Sequence, residues 1–325
     1  MRRLLWIAVL VAFAFIPVLS ASAWAAYPEK PVTVICPWGA GGGTDRLARF
    51  LADELSKKFG QPFTVVNKTG GAGAVGHAAG AYAPPDGYTI TIVTLELATM
   101  HWMGLTDLTY EAFDYVAQVN EDPAGVTVRA DAPWKTLKEL LDDIKANPGK
   151  YLFSGVAAGG IWDLARIGML HAAGIPVDAV KWIPSTAGAA QALTELLGGH
   201  IHVVTCSLAE AGPYIKSGQA RALAVMADER IPAFPDVPTL KELGINWSAG
   251  TWRGVGVPKG TPEEIRKKLE DAVVEIANSE AFKKFMETNG FGIKIRRGEE
   301  FRKFVEEQDK AWKTVLELGG YLKKK

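Results

Sequence analysis

Two hydrophobic rhythms alternate along the chain. VTVIC (32–36), FTVV (63–66) and YTITIVT (88–94) are short β-branched runs, and the turn signal PPDG precedes the last of them. Between the first two runs, Leu47, Leu51 and Leu55 recur every four residues and mark one face of a helix. The same grammar restarts in GVTVRADAPWKTLKELLDDIKANPGKYLFSG (125–155), continues through HIHVVTC (200–206) and reaches ARALAVMA (220–227). Strands that alternate with helices predict βαβ units and a mostly parallel sheet covered on both faces, an α/β protein. The chain ends in two helical stretches, with apolar faces at Ile265, Leu269, Val273 and Ile276 and at Phe301, Phe304, Val305, Trp312 and Leu316. Without strands of their own, these are expected to pack back on the first unit.

The junctions between the rhythms carry the candidate chemistry. CPWGAGGGTDRLARF (36–50) has glycine at 39, 41, 42 and 43, directly between a strand and a helix. GGTDRLAR (42–49) is echoed by GGIWDLAR (159–166), again after a strand-like run. A helix start leaves amides without partners and carries partial positive charge, and glycine lets that backbone approach an anion closely. Each half of the protein therefore offers an anion cradle, and Thr44 adds a hydroxyl donor. The alternative is a pair of tight turns that bind nothing. Asp45 and Asp163 fall in the first helical turns, where the dipole alone stabilises an acid, so a ligand contact is open for both.

The ends and the composition narrow the class. MRRLLWIAVLVAFAFIPVLSASAWA has the charged start, apolar middle and small-residue end of a cleavable secretory signal, so residues 1–25 are excluded from the fold. The remaining ~300 residues allow two ordinary domains or one large one. No later apolar run approaches the ~20 residues of a membrane span. With 36 basic and 36 acidic residues, loss of Arg2 and Arg3 leaves a net charge of −2, which argues against nucleic acid or anionic lipid as partners. Cys36 and Cys206 each end a strand-like run and read as separate buried thiols, with a disulfide as the alternative. His200 and His202 lack a third ligand, so no metal is expected. GAGAVG (71–76) fits G-x-G-x-x-G, but no acid follows on a second strand end and no lysine completes a Walker loop, which leaves a carboxylate as the favoured anion and no cofactor. No G-x-S-x-G or H-E-x-x-H is present, so an enzyme is not expected, though a triad assembled by folding is not visible to sequence reading.

YPEKPVTVICPWGAGGGTDRLARFLADELSKKFGQPFTVVNKTGGAGAVGHAAG, followed by PPDGYTI, TLKELLDDIKANPGK, ALTELLGGHIHV and FPDVPTLKELG, resembles the Bug (TctC-like) extracytoplasmic solute receptors of tripartite tricarboxylate transporters. The resemblance spans essentially the whole mature chain. It implies a type II-like Venus-flytrap fold of two α/β domains, a carboxylate closed in the cleft, periplasmic location, delivery to membrane permease subunits, and no catalysis. It carries the ligand loops onto Trp38, Gly41, Gly42, Gly43, Thr44 and Asp45, and onto Ala158, Gly159, Gly160, Ile161, Trp162 and Asp163. It also brings Glu96, the turn from Thr186 to Gly188, Ser207, and Trp252 with Arg253 near the cleft. Where many relatives have Ser-x-x-His in the second loop, this chain has Gly160 and Asp163; where they have Tyr-Lys-Gly, it has Thr186, Ala187 and Gly188. A citrate-like specificity therefore does not transfer simply. Trp38, Trp162 and Trp252 would suit an aromatic carboxylate gripped at its far end by Arg253, or they are core packing with Arg253 in a structural ion pair; Glu96 and Asp163 would suit a ligand that also carries an amino or amide group. We expect a monomer with domain 1 at residues 27–124 plus 251–325, domain 2 at 125–250, and a hinge near Gly125 and Gly250. The alternatives are a secreted α/β enzyme acting on a carboxylated small molecule and a ligand sensor for a membrane kinase.

Overall fold

The computed structural model describes residues 27–323, so the expected leader lies outside the described residues. The first half runs β1 Val32–Cys36, α1 Gly43–Phe59, β2 Phe63–Asn67, α2 Ala74–Ala81, β3 Thr89–Thr94, β4 Phe113–Arg129, α3 Leu137–Ala146 and β5 Leu152–Ser154. The second runs α4 Ile161–Ala172, β6 Lys181–Trp182, α5 Ala189–Leu197, β7 Val203–Ser207, α6 Leu208–Lys216, β8 Ala220–Val225, β9 Gly250–Pro258, α7 Glu263–Asn278, α8 Glu280–Asn289, β10 Ile293–Arg297 and α9 Gly298–Leu318. α1 shows why the elements form. Leu47, Leu51 and Leu55 are buried together, Lys57 and Lys58 sit on its negative end, and Gly60 closes it in the left-handed conformation. α3 starts on a capping box between Thr136 and Glu139.

The strands form two halves of a continuous sheet, giving a two-domain α/β fold. β1 lies parallel between β2 and β3; β9 then runs antiparallel between β3 and the first part of β4. β7 and β8 are antiparallel to the last part of β4, and β5 is parallel to both β7 and β6. The sheet is thus mixed rather than mostly parallel. The difference comes from β4 and β9: Asn120, Glu121, Asp122 and Pro123 break the apolar pattern of β4, so its great length is hidden in the sequence. The C-terminal region also has a strand, the charged edge strand β10, which is antiparallel to β4. Its helices do return to the first lobe, with α7 and α9 against β4.

β4 links the lobes. It pairs with β9 as far as Pro123 opposite Gly250, and from Ala124 onward it pairs with β7. At this crossing the backbones touch: a Cβ on Gly250 would lie 2.4 Å from the carbonyl oxygen of Asp122. Only glycine allows that approach.

Candidate functional site

The two glycine turns adopt one geometry. Gly41 and Gly159 have φ of 81° and 71°, in the left-handed region. The next residues, Gly42 and Gly160, are extended helix caps with φ/ψ of −71°/170° and −76°/170°. Each turn is tied by its aspartate: Gly41 N donates to Asp45 Oδ2 at 2.9 Å and Gly159 N donates to Asp163 Oδ2 at 3.0 Å. The structural echo is therefore Gly-Gly-x-x-Asp over 41–45 and 159–163, and the Leu-Ala-Arg triplets of the sequence echo are offset by one residue. Both aspartates are fully engaged. Asp45 also accepts from Arg49 and Asn67, and Asp163 from Arg166 and the Tyr321 hydroxyl. Burial raises Asp45, but Arg49, the Gly41 amide and Asn67 outweigh it and hold the carboxyl below its usual range.

The turns face each other across a cavity of about 30 Å³, enough for one or two waters. The first lobe lines it with Trp38, Gly42, Gly43, Thr44, Glu96, Thr251 and Arg253, and the second with Val156, Ile161, Trp162, Ala187, Gly188, Ala189 and Glu210. The lobes touch directly around it. Gly39 N donates to Ala187 O at 3.2 Å, Ile161 N donates to Glu96 Oε1 at 3.1 Å, and Gly43 N donates to Glu210 Oε1 at 3.1 Å. Glu96 accepts in addition from the Thr94 hydroxyl at 2.6 Å, and Thr94 accepts from Trp38 Nε1 at 3.2 Å. Burial pushes the Glu96 carboxyl above its usual range, against the opposing pull of Thr94, the Ile161 amide and Arg253.

Arg253 is the fixed cation of the site. Its Nε donates to Thr44 Oγ1 at 2.9 Å, and its Nη1 donates to Asn120 Oδ1 and Asp122 Oδ2, both at 2.6 Å. Nη2 is 3.9 Å from Glu210 Oε1 and packs under Gly43, where an added Cβ would come within 2.8 Å of it. In this arrangement Arg253 has one nitrogen, not two, facing the cavity, so a bidentate grip on a ligand would require Asp122 or Thr44 to release it. Asp122 is raised by burial and pulled back mainly by Arg253.

Several sequence candidates lie behind the lining. Trp252 packs edge-on against Phe301 and Phe304, away from the cavity, because neighbours on a strand point to opposite faces and Arg253 takes the cleft side. Gly41, Ala158, Gly159 and Gly160 shape the turns; Asp45 and Asp163 tie them. Thr186 stands beside the lining residues Ala187 and Gly188 without joining them. Ser207 caps α6 and donates to Glu210 Oε2, so it positions a lining residue. Glu210 and Thr251 are the polar residues that sequence reasoning missed. Ser207-x-x-Glu210 reads as a capping box, a structural signature that disguises a cleft-facing carboxylate. Cys36 and Cys206 are separate, buried and free, and burial raises both thiols, Cys36 to about 11.

The family model for the tripartite tricarboxylate transporter family receptor, TctC, matches residues 47–320. A TctC solute binding protein from Polaromonas, described as having no ligand, is 39% identical, with 90% of this chain and 99% of that chain covered, and superposes with a TM-score of 0.67. The periplasmic binding protein BugD is 29% identical over 92% of this chain and 100% of its own, with a TM-score of 0.85. MatC from Rhodopseudomonas palustris with bound malate is 26% identical over 89% and 100%, with a TM-score of 0.81.

Proposed function

The chain belongs to the tripartite tricarboxylate transporter receptor family of periplasmic solute-binding proteins, and we propose that it captures a small carboxylate between its lobes and delivers it to membrane permease subunits. The observation that carries the reading is the twinned turn: two helix starts of the same geometry, one per lobe, open onto one cavity beside Arg253. Backbone amides at such starts favour carboxylate oxygens. MatC holds malate, which makes short aliphatic dicarboxylates the first class to try. Trp38 and Trp162 line the cavity and keep an aromatic acid in contention, while Trp252 does not contribute to that argument.

Residues 1–25 act in this reading as the export signal, and the domains divide near Gly125 and Gly250. The crossing of β4 and β9 is the hinge. The Polaromonas receptor, described without ligand, superposes less well on this chain than malate-bound MatC despite its higher identity, an order that a rotation of the lobes on closure would produce.

The test is a thermal-shift and calorimetric screen of ligand-stripped protein against C4–C6 dicarboxylates, aromatic carboxylates, amino acids and neutral amides. A ligand at 100 times its dissociation constant stabilises the fold by about 2.7 kcal/mol. One carboxylate class should bind at one per chain and be recovered unchanged. Turnover of the bound acid would instead favour a secreted enzyme.

A further inference from the structure

In each glycine turn the first amide of the helix already holds a carboxylate, and each carboxylate comes from the opposite lobe. Glu96 follows β3 in the first lobe and takes Ile161 N of α4 in the second; Glu210 lies on α6 in the second lobe and takes Gly43 N of α1 in the first. The exchange is reciprocal, and neither acid is held there by chance. Glu96 is 1% exposed and fixed at its other oxygen by Thr94, itself fixed by Trp38. Glu210 stands at the position where a capping-box acid folds back onto the amide of its own cap, yet its carboxylate is turned outward, with Oε2 on the Ser207 hydroxyl and Oε1 on Gly43. A carboxylate is a good partner for a helix start, since the hydrogen bond is charge-assisted and aligned with the dipole.

We propose that Glu96 and Glu210 are the specificity-determining residues of this site: they close the lobes on each other as internal stand-ins for a ligand, so that an incoming carboxylate binds by displacing one of them rather than by filling an empty cradle. The inference rests on the receptor reading given above. A second observation supports it at Glu210. Outside the small central cavity lies a larger one of about 220 Å³, lined by Gly41, Arg46, Leu193 and Tyr214 among others, and the two share Gly42, Gly43 and Glu210 as a common wall. Turning Glu210 away from Gly43 frees the amide and joins the two cavities, which gives a ligand both its donor and its path. The selectivity follows from competition. A weak single carboxylate must beat a tethered one already in place, whereas a ligand that also engages Arg253 Nη2 or the tryptophans has extra contacts with which to win.

The experiment compares wild type with Glu96→Ala, Glu210→Ala and the charge-only variants Glu96→Gln and Glu210→Gln, each checked for a native circular-dichroism spectrum and a cooperative melt. Spin labels on the solvent faces of α1 and α5 report the distance between lobes without ligand, and calorimetry measures binding of malate, citrate and benzoate. Wild type should be predominantly closed without ligand, Glu210→Ala should shift toward a longer distance, and the carboxylate that binds should do so at least tenfold more tightly to Glu210→Ala, with the glutamine variants intermediate. An open ligand-free wild type, an unchanged distance in both alanine variants, or weaker carboxylate binding to them overturns the proposal. If the distances shift as expected but no variant binds any of the acids, the latch stands and the carboxylate-receptor reading is the one that fails.

Discussion

His77 and Arg253 show how single side chains hold the site's scaffold. His77 is fully buried on α2; its Nδ1 meets Gly73 O at 2.8 Å and its Nε2 accepts from Thr94 N at 3.2 Å, so the ring is neutral with the proton on Nδ1. Burial depresses its pKa from 6.5 to about 4. The unfolded chain therefore takes up a proton near pH 6.5 and the folded chain only near 4. Stability should be fully present above about pH 6.5 and fall as pH drops through that window, by at most about 1.4 kcal/mol per pH unit. Urea midpoints between pH 7 and 4 measure this, and His77→Gln should flatten the slope. Arg253 makes a different prediction. Its partner Asp122 is buried, so Arg253→Ala leaves an unpaired internal acid and should cost about 3–5 kcal/mol, whereas adding Asp122→Asn should recover part of the loss. Additive losses in the double variant would contradict the pairing.

Among the elements, the crossing of β4 and β9 is a close backbone joint. Gly250→Ala would drive a methyl into the Asp122 carbonyl, and we expect about 1–3 kcal/mol of destabilisation with a changed distance between the lobes, read by denaturation and by spin-label distances. The sequence was eloquent about some elements and silent about others for physical reasons. β1, β3, α1 and α3 are amphipathic or continuously apolar over their full length, and their hydrophobic period announces them. β4 carries Asn120 and Asp122 in the middle of a buried strand because Arg253 lies against them; a polar network inside a strand cancels the very pattern by which strands are recognised. The glycine turns were legible because backbone conformation is written in glycine. The glutamates that fill them were not, since a capping residue and a cleft residue look alike until the opposite lobe is present.

For the whole molecule, the shared strand has a thermodynamic signature. β4 contributes to both halves of the sheet, and α9 packs on β4 while touching α4 of the second lobe. The lobes are thereby coupled, and calorimetric unfolding should show one cooperative transition whose van't Hoff and calorimetric enthalpies agree. Two resolved transitions would mean that the lobes melt independently. The shared strand also bears on the order in which the molecule can be made. β3 is bordered on one side by β1, and its other edge is filled only by β9, which begins at Gly250. A chain emerging from its N-terminus therefore holds TITIV with a bare hydrogen-bonding edge while everything between Thr94 and Gly250 is still arriving, a window in which such an edge invites pairing with another chain. The strands of the second lobe meet their neighbours sooner. The lobe that begins the chain is the last to be finished.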